Sequence, residues 1–264
     1  MGALFSFKGE FIMVTLYSGT PGSGKSLHMA ERIFTHLFMG RPVIGNFQFN
    51  DSMVKFKKSR YLYIPNWELT PQRLIDFSID YQKSHGRVKE GTIKVFIDEA
   101  QLIFNSRDYG MEGRKEWLQF FTLHRHYGID IILACQFDRM LDRQIRCLIE
   151  YEYIHRKVSN FGWKGKILNI LMGGRMFACS KRWYPLKEPI GGEFFRFKKK
   201  YSKCYDTFDL SINDREKAFE VEDKQDDSIS LELAPDMTER GEGVPVREYG
   251  VPYEVDELVT VVSV

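Results

Sequence analysis

Eight consecutive residues near the amino terminus could hold a phosphate group. Positions 19–26 read GTPGSGKS and match the pattern G-x-x-x-x-G-K-[ST] in full. Its glycines let the backbone approach an anion closely, while loop N–H groups and the start of a following helix point toward negative charge. We expect the ammonium of Lys25 to reach the outer phosphates of a nucleotide and the hydroxyl of Ser26 to coordinate Mg²⁺.

The flanks of this loop have the patterns that a P-loop requires. Residues 13–17 read MVTLY, which is typical of a buried strand, and residues 27–34 have apolar side chains at helical spacing. Strand, glycine loop and helix therefore follow one another in the required order. The predicted nucleotide-binding residues are Gly19, Thr20, Pro21, Gly22, Ser23, Gly24, Lys25, Ser26 and Leu27.

A second strand pattern ends in two acids. Residues 93–97 read IKVFI and run directly into Asp98 and Glu99. We expect Asp98 to orient Mg²⁺ through water, and Glu99 to polarise the water that attacks the terminal phosphate. Because a small-molecule P-loop kinase needs no such glutamate, the pair favours a hydrolytic enzyme.

Two further polar residues flank a third strand pattern, IDIILAC at 129–135. Gln136 follows this strand, where its amide could sense the terminal phosphate; the alternative is an ordinary surface glutamine. Arg125 precedes the strand, at the end of a helical stretch over 115–127. An arginine at a subunit edge can reach a neighbour's terminal phosphate, and a surface salt bridge is the equal alternative.

Strand and helix patterns alternate along the chain, which predicts a parallel α/β sheet with helices on both faces. Strands are expected near 13–17, 42–46, 93–97, 129–135 and 149–155. Four side chains of the helical stretch share one face and are expected to be core: Trp117, Phe120, Phe121 and His124.

The chain of 264 residues is nearly neutral as a whole, but its acids and bases are unevenly distributed along the sequence. Residues 214–264 hold 15 acids and 5 bases, which leaves 33 bases and 21 acids in the rest of the chain. A basic body permits a polyanionic partner, and the acidic composition predicts a flexible tail.

The four cysteines have no paired spacing, so we expect reduced thiols rather than a zinc ribbon or a redox pair. Composition also excludes a collagen, a disulfide-stapled mini-protein and a wholly disordered chain.

Two segments combine basic and aromatic residues, at 54–63 and 181–205, and the second carries eight bases and two acids. Such a pattern suits single-stranded nucleic acid, an anionic membrane surface, or a solvated hairpin that turns at Gly191 and Gly192 with its rings toward the core. No segment approaches the roughly 20 apolar residues that span a bilayer, so we expect no transmembrane helix.

These residues together resemble a known family. GTPGSGKS, IDEAQ at 97–101, HRHYGIDIILACQFDRMLDRQIR at 124–146 and EYEYIHRK at 150–157 are similar to the N-terminal domain of the zonula occludens toxin (Zot) family. That family includes the assembly ATPases of filamentous phages. The specific part is HRH-x-G-x-D-I-I-x-x-x-Q, and the resemblance covers about residues 13–185.

The resemblance implies a P-loop ATPase of the additional-strand, catalytic-glutamate class, with ATP and Mg²⁺ as its ligands. It favours Gln136 as a sensor and Arg125 as an arginine that acts in trans. It also implies a motor in the bacterial host cytoplasm, at the cytoplasmic face of the inner membrane, that drives assembly and export of a single-stranded DNA virion.

The partners that the resemblance implies are further copies of the chain in a homo-oligomeric ring, phage coat or secretion proteins, and single-stranded DNA. Phage members usually carry a transmembrane helix after the ATPase domain, and this sequence shows none. It therefore resembles a soluble variant, for which either direct membrane contact or an anchor supplied by another protein is open. The alternative function is a nucleotide-gated adaptor that recruits capsid or secretion components, with hydrolysis incidental.

The predicted organisation has four parts. These are an N-terminal extension at 1–12, a P-loop ATPase domain at 13–185, a basic-aromatic β extension at 186–213 and the acidic tail at 214–264.

Overall fold

The computed structural model describes residues 14–55, 59–107, 113–171 and 173–205. The strands in this part of the chain are β1 Val14–Ser18, β2 Val43–Gly45, β3 Tyr61–Tyr63, β4 Ile93–Ile97, β5 Ile129–Cys135, β6 Tyr151–Lys157, β7 Met176–Trp183 and β8 Glu188–Arg196. The helices are α1 Lys25–Phe38, α2 Pro71–His85, α3 Arg114–Leu123, α4 Arg143–Cys147, α5 Gly162–Leu171 and α6 Lys199–Ser202. The predicted N-terminal extension and acidic tail lie outside the described residues.

The strands form one sheet in the order β3-β2-β4-β5-β1-β6-β7-β8. Neighbours from β3 through β6 are parallel, and β7 and β8 add an antiparallel edge. The five predicted strands are all present, whereas the short β3 and most of β7 are not predicted from the sequence. β5 lies between the strand that enters the glycine loop and the strand that ends in two acids, which is the additional-strand arrangement.

Alternate side chains of the central strands face two apolar layers. On one side Tyr17 of β1 packs with Met29 of α1. On the other side Leu16 of β1 packs with Leu74 of α2 and Phe121 of α3. Because both faces of the sheet are buried, the central strands are almost continuously apolar. The predicted α/β sheet with helices on both faces is confirmed.

The helical stretch before β5 ends earlier than predicted. α3 stops at Leu123, and a 3-10 turn at His124–Tyr127 follows. His124 lies within hydrogen-bonding distance of the Phe121 carbonyl oxygen, 2.6 Å from its Nδ1, and burial lowers its pKa. All four side chains of the predicted stripe are buried, so the stripe is core packing as expected.

The basic-aromatic region begins as a hairpin of β7 and β8, but the predicted turn at Gly191 and Gly192 is wrong. The chain turns at residues 184–187, and both glycines lie within β8. A Cβ on Gly192 would stand 3.0 Å from the carbonyl oxygen of Cys179. Gly192 therefore allows β7 and β8 to lie close together and does not form a turn.

The rings of this region divide between the core and the surface. Phe195 stacks on Phe177 at a centroid distance of 5.3 Å, whereas Phe194 is largely exposed. Lys181 lies over the Tyr151 ring at 4.5 Å, so part of the basic charge already covers aromatic faces of the same chain.

Residues 167–180 form a partly apolar segment of the sequence, and the structure divides it between α5 and β7. Among the described residues, no helix has the length and apolar character that crossing a bilayer requires.

A buried ion pair between β4 and β5 provides a test of the sheet's core. Lys94 and Asp130 occupy directly opposite positions and are both buried. We expect Lys94→Met to lower the free energy of unfolding by about 3–5 kcal/mol, because it leaves the Asp130 carboxylate in the core without this cation. The double variant with Asp130→Leu should recover most of that loss. Urea denaturation measures both, and a double variant as unstable as the single one would contradict the assignment.

Candidate functional site

The GTPGSGKS segment forms a tight loop between β1 and α1. Gly19, Gly22 and Gly24 have φ of 142°, 69° and 100°, values that favour glycine. A Cβ on Gly19 would stand 2.4 Å from the carbonyl oxygen of His155, and one on Gly24 would stand 2.7 Å from the Phe177 ring. The loop is therefore a backbone cradle packed so closely against β6 and β7 that a side chain at Gly19 or Gly24 would clash with these strands.

The N-terminus of α1 can bind an anion. No side chain caps its first N–H groups, and its first turn has no acidic residue, so the positive end of the helix dipole is left uncompensated. Lys25 is only 7% exposed, and its ammonium donates to the carbonyl oxygens of Gly19 at 2.6 Å and Thr20 at 3.5 Å. A buried cation and an uncapped helix N-terminus fit the phosphates that the sequence predicts here.

Asp98 follows β4 and is 3% exposed. Its Oδ1 accepts the backbone N–H of Glu99 at 2.9 Å, and its Oδ2 accepts the hydroxyl of Tyr205. Burial raises the pKa of the Asp98 carboxyl, the hydrogen bond from Tyr205 lowers it, and the nearby Glu99 charge raises it. A buried carboxylate of this kind gains from a divalent cation, so the position fits the predicted Mg²⁺ site.

Glu99 has a left-handed backbone, with φ 44° and ψ 48°. This conformation is unfavourable for a residue with a side chain, and residues held in such strained conformations cluster at functional sites. It turns the chain from β4 straight into a 3-10 helix at Ala100–Leu102. The amide of Gln101 donates to the Glu99 carboxylate, so the side chain is held at the end of the strand beside Asp98.

The hydroxyl of Tyr205 joins the two predicted Mg²⁺ ligands. It hydrogen-bonds both Asp98 and the side chain of Ser26, so the two ligands reach one common oxygen atom. Burial is the main cause that raises the pKa of Tyr205, which keeps the phenol protonated. No local pattern marks Tyr205 for this role, because 178 residues lie between it and Ser26 in the chain.

Asn46 is a second residue that the sequence analysis misses. Its side chain accepts the N–H of Asp98 at 2.7 Å and donates to the carbonyl oxygen of Asp98 at 2.9 Å and to Asn66 at 2.7 Å. It thereby fixes the backbone of Asp98 from the neighbouring strand. A signal exists: Asn46 is the polar residue where a predicted strand ends, at the edge where parallel sheets place their sites.

Gln136 and Lys157 also lie at this edge. The carbonyl oxygen of Gln136 accepts the N–H of Gly19 at 3.2 Å, which places the residue beside the glycine loop. Its role as a sensor stays a prediction. The Lys157 ammonium would stand 3.2 Å from a Cβ on Gly22 and adds positive charge to the mouth of the loop. No pattern in the sequence predicts this role for Lys157.

Arg125 does not reach the loop of its own chain. It precedes β5, and the loop lies beyond the other end of that strand, about 20 Å away for seven residues. Its guanidinium is half exposed and forms an ion pair with Glu150. Within one chain the structure thus contains the predicted salt bridge, while a contact with a neighbour's nucleotide stays a prediction.

The fold and this arrangement of side chains define a P-loop NTPase of the additional-strand class. β1 enters a glycine cradle with a buried lysine, β4 ends in two acids, and β5 lies between them. The chain belongs to the family described as Zonular occludens toxin (Zot), whose model matches residues 13–207.

One relative is "Putative assembly protein ORF301" of Pseudomonas phage Pf3, which is 31% identical over 139 residues. The match covers 52% of this chain and 40% of the phage protein, so the chain spans less than half of that relative.

Two solved structures are similar in fold. The N-terminal domain of zonular occludens toxin from Neisseria meningitidis is 20% identical, with a TM-score of 0.46 over 74% of this chain and 100% of that one. The genome packaging NTPase B204 from Sulfolobus turreted icosahedral virus 2, in complex with ATP-gammaS, is 15% identical. Its TM-score is 0.43 over 70% of this chain and 97% of that one.

Tyr205→Phe tests the link between the two predicted Mg²⁺ ligands. Loss of the hydroxyl removes a donor from buried Asp98, so we expect the metal-free protein to lose about 1–3 kcal/mol of unfolding free energy. Mg²⁺ with nucleotide should stabilise the variant more than the wild type, because no phenol then competes for Ser26 and Asp98. Thermal denaturation with and without the ligands measures both effects.

The matched control is Tyr201→Phe, which removes the hydroxyl of another buried tyrosine, one that bonds Glu31 and not Asp98. If the two variants respond alike to Mg²⁺ and nucleotide, Tyr205 has no special relation to the metal ligands.

Proposed function

We propose that this chain is an ATP-hydrolysing motor of filamentous phage morphogenesis. In this proposal it works in the bacterial host cytoplasm, at the cytoplasmic face of the inner membrane, and drives assembly and export of a single-stranded DNA virion. Membership of the Zot family and the similarity to a phage protein named for assembly support this setting. The observation that carries hydrolysis is the acid pair Asp98 and Glu99, held at the end of β4 beside the P-loop.

The residues of the loop bind and orient ATP. Backbone N–H groups at 19–26 and the Lys25 ammonium hold the phosphates, and the left-handed glycines let the backbone approach them. Ser26 and Asp98 are the residues that would hold Mg²⁺. When bound, the ion supplies positive charge that neutralises the charge developing on the phosphates.

Glu99 acts as the base for the attacking water. Its carboxylate is fixed by the Gln101 amide, and its left-handed backbone turns the chain sharply after the last residue of β4. A carboxylate held beside the phosphates can accept the proton of the water as the new bond forms. Gln136, next to Gly19, contacts the terminal phosphate or the water and distinguishes ATP from product.

The motor is proposed to be a homo-oligomeric ring. Because Arg125 lies at the opposite edge of the sheet from its own loop, it can complete only a neighbour's site. Phage coat or secretion proteins are the proposed partners, with single-stranded DNA as cargo for the basic body.

ATP turnover against protein concentration tests the ring. We expect activity to rise steeply with concentration and Lys25→Ala to lose at least about 100-fold in turnover. Arg125→Ala and Glu99→Gln should each be inactive alone, and mixing them should restore part of the activity, because each supplies what the other lacks.

Glu150→Gln is the matched control, since it breaks the same ion pair but keeps the arginine. We expect it to retain turnover. If it is as inactive as Arg125→Ala, or if wild-type turnover per chain is independent of concentration, the shared site is refuted. If Glu99→Gln abolishes turnover yet supports virion export, the chain acts as a nucleotide-gated adaptor rather than a motor.

A further inference from the structure

Three side chains with metal-binding atoms converge beside the glycine loop. His28 comes from the first turn of α1, His155 from β6 and Cys179 from β7, and each is 3% exposed or less. Their ligand atoms all lie within 4.8 Å of one another, and His28 Nδ1 is 2.8 Å from His155 Nε2. Imidazole nitrogen and thiolate sulfur are the ligands that zinc prefers in proteins.

The far nitrogen of the His155 ring has the kind of partner that zinc-binding histidines have, and that of His28 lies near a carboxylate. His155 Nδ1 lies 2.9 Å from the carbonyl oxygen of Tyr153 and 3.3 Å from that of Ser18. It therefore carries the proton, and the Nε2 lone pair faces the cluster. His28 Nε2 lies 3.3 Å from the Glu193 carboxylate. Such outer contacts fix the tautomer and orientation of histidine ligands.

We propose that His28 Nδ1, His155 Nε2 and Cys179 Sγ bind one zinc ion, with water as the fourth ligand. Tetrahedral bonds of about 2.0–2.3 Å place neighbouring ligand atoms about 3.3–3.6 Å apart. The two nitrogens stand closer than this, at 2.8 Å, and all three ligand atoms lie within 4.8 Å of one another. Side-chain rotations must therefore widen the nitrogen pair and set the sulfur at bonding distance. The thiol proton of Cys179 leaves to solvent as the thiolate binds the ion.

Two cavities give an ion access to the buried cluster. One, of about 440 Å³, is lined by His28 and Glu193, and a second, of about 160 Å³, is lined by Cys179 and Glu193. Glu193 is about half exposed between them and carries negative charge. Its carboxylate also forms an ion pair with Arg32 at 3.6 Å, and Arg32 lines both cavities, so part of the Glu193 charge is already balanced.

Zinc at this position ties the P-loop helix to two strands. His28 is only three residues beyond Lys25, and the carbonyl oxygen of His155 is the atom against which Gly19 is pressed. The ion would therefore hold α1 and β6 together on the far side of the loop from the nucleotide. This site is independent of whether the chain hydrolyses ATP.

Without zinc the same side chains can form a hydrogen-bond chain, and the two states differ in the tautomer of His28. Arg32 Nε lies 3.3 Å from His28 Nε2, so in the metal-free chain it donates there while His28 Nδ1–H donates to His155. In the zinc site the His28 proton is on Nε2 and faces Glu193. A direct metal measurement distinguishes these states.

Cobalt(II) is the probe for the purified full-length protein. We expect binding of one ion per chain with the visible bands of a tetrahedral site and a near-ultraviolet thiolate-to-cobalt charge-transfer band, both lost on titration with zinc. Absence of the thiolate band in the wild type overturns the proposal without the need for any variant.

Variants identify the ligands. Cys179→Ser should abolish the thiolate band, whereas Cys204→Ser, which removes another buried thiol, should leave it unchanged. His28→Gln should likewise lose the tetrahedral spectrum, and His36→Gln, a buried histidine on the same helix, should keep it.

Glu193→Gln keeps the three ligands and alters a partly exposed side chain, so folding should be unaffected. We expect it to weaken zinc affinity by about 10–100-fold through the loss of its hold on His28. Equal zinc affinity in the wild type and in well-folded Cys179→Ser would leave only the hydrogen-bond chain.

Discussion

The buried carboxylate of Asp98 would be costly in free energy without polar partners, and the surrounding structure supplies them. A charged group at 3% exposure needs hydrogen bonds and positive charge close by. Asn46 from the end of β2 holds its backbone, Tyr205 from beyond α6 donates to its side chain, and Lys25 contributes a favourable charge. Three segments that are far apart in the chain therefore meet at one edge of the sheet, where each contributes an interaction that stabilises the Asp98 carboxylate.

Burial of both sheet faces confines the polar chemistry to that edge. With apolar layers above and below, the carboxyl ends of β1, β4 and β5 are where unpaired backbone groups and charges can gather. The loop there is braced by later strands, since Gly19 is pressed on β6 and Gly24 on the Phe177 ring of β7. The β7–β8 hairpin is thus part of the site's support, although it follows the parallel core in sequence.

Local patterns predict the P-loop, the acid pair and five strands because each depends on neighbouring residues. The roles of Tyr205 and of the His28 cluster depend on contacts between distant segments, and no spacing rule reveals them. The hairpin turn is misplaced for a different reason: Gly191 and Gly192 fit a turn rule, but Gly192 is needed where β8 approaches the Cys179 carbonyl. The structure also separates Arg125 from its own loop by the length of β5, which a linear pattern cannot express.

A crystal structure with Mg²⁺ and a non-hydrolysable ATP analogue tests most directly whether this edge is the nucleotide site. We expect the phosphates to lie in the loop at 19–26 and the Lys25 ammonium to leave the Gly19 carbonyl oxygen for a phosphate oxygen. We also expect the ion to replace the Tyr205 hydroxyl between Ser26 and Asp98. A nucleotide bound elsewhere, with these contacts of Lys25 and Tyr205 intact, would contradict the assignment.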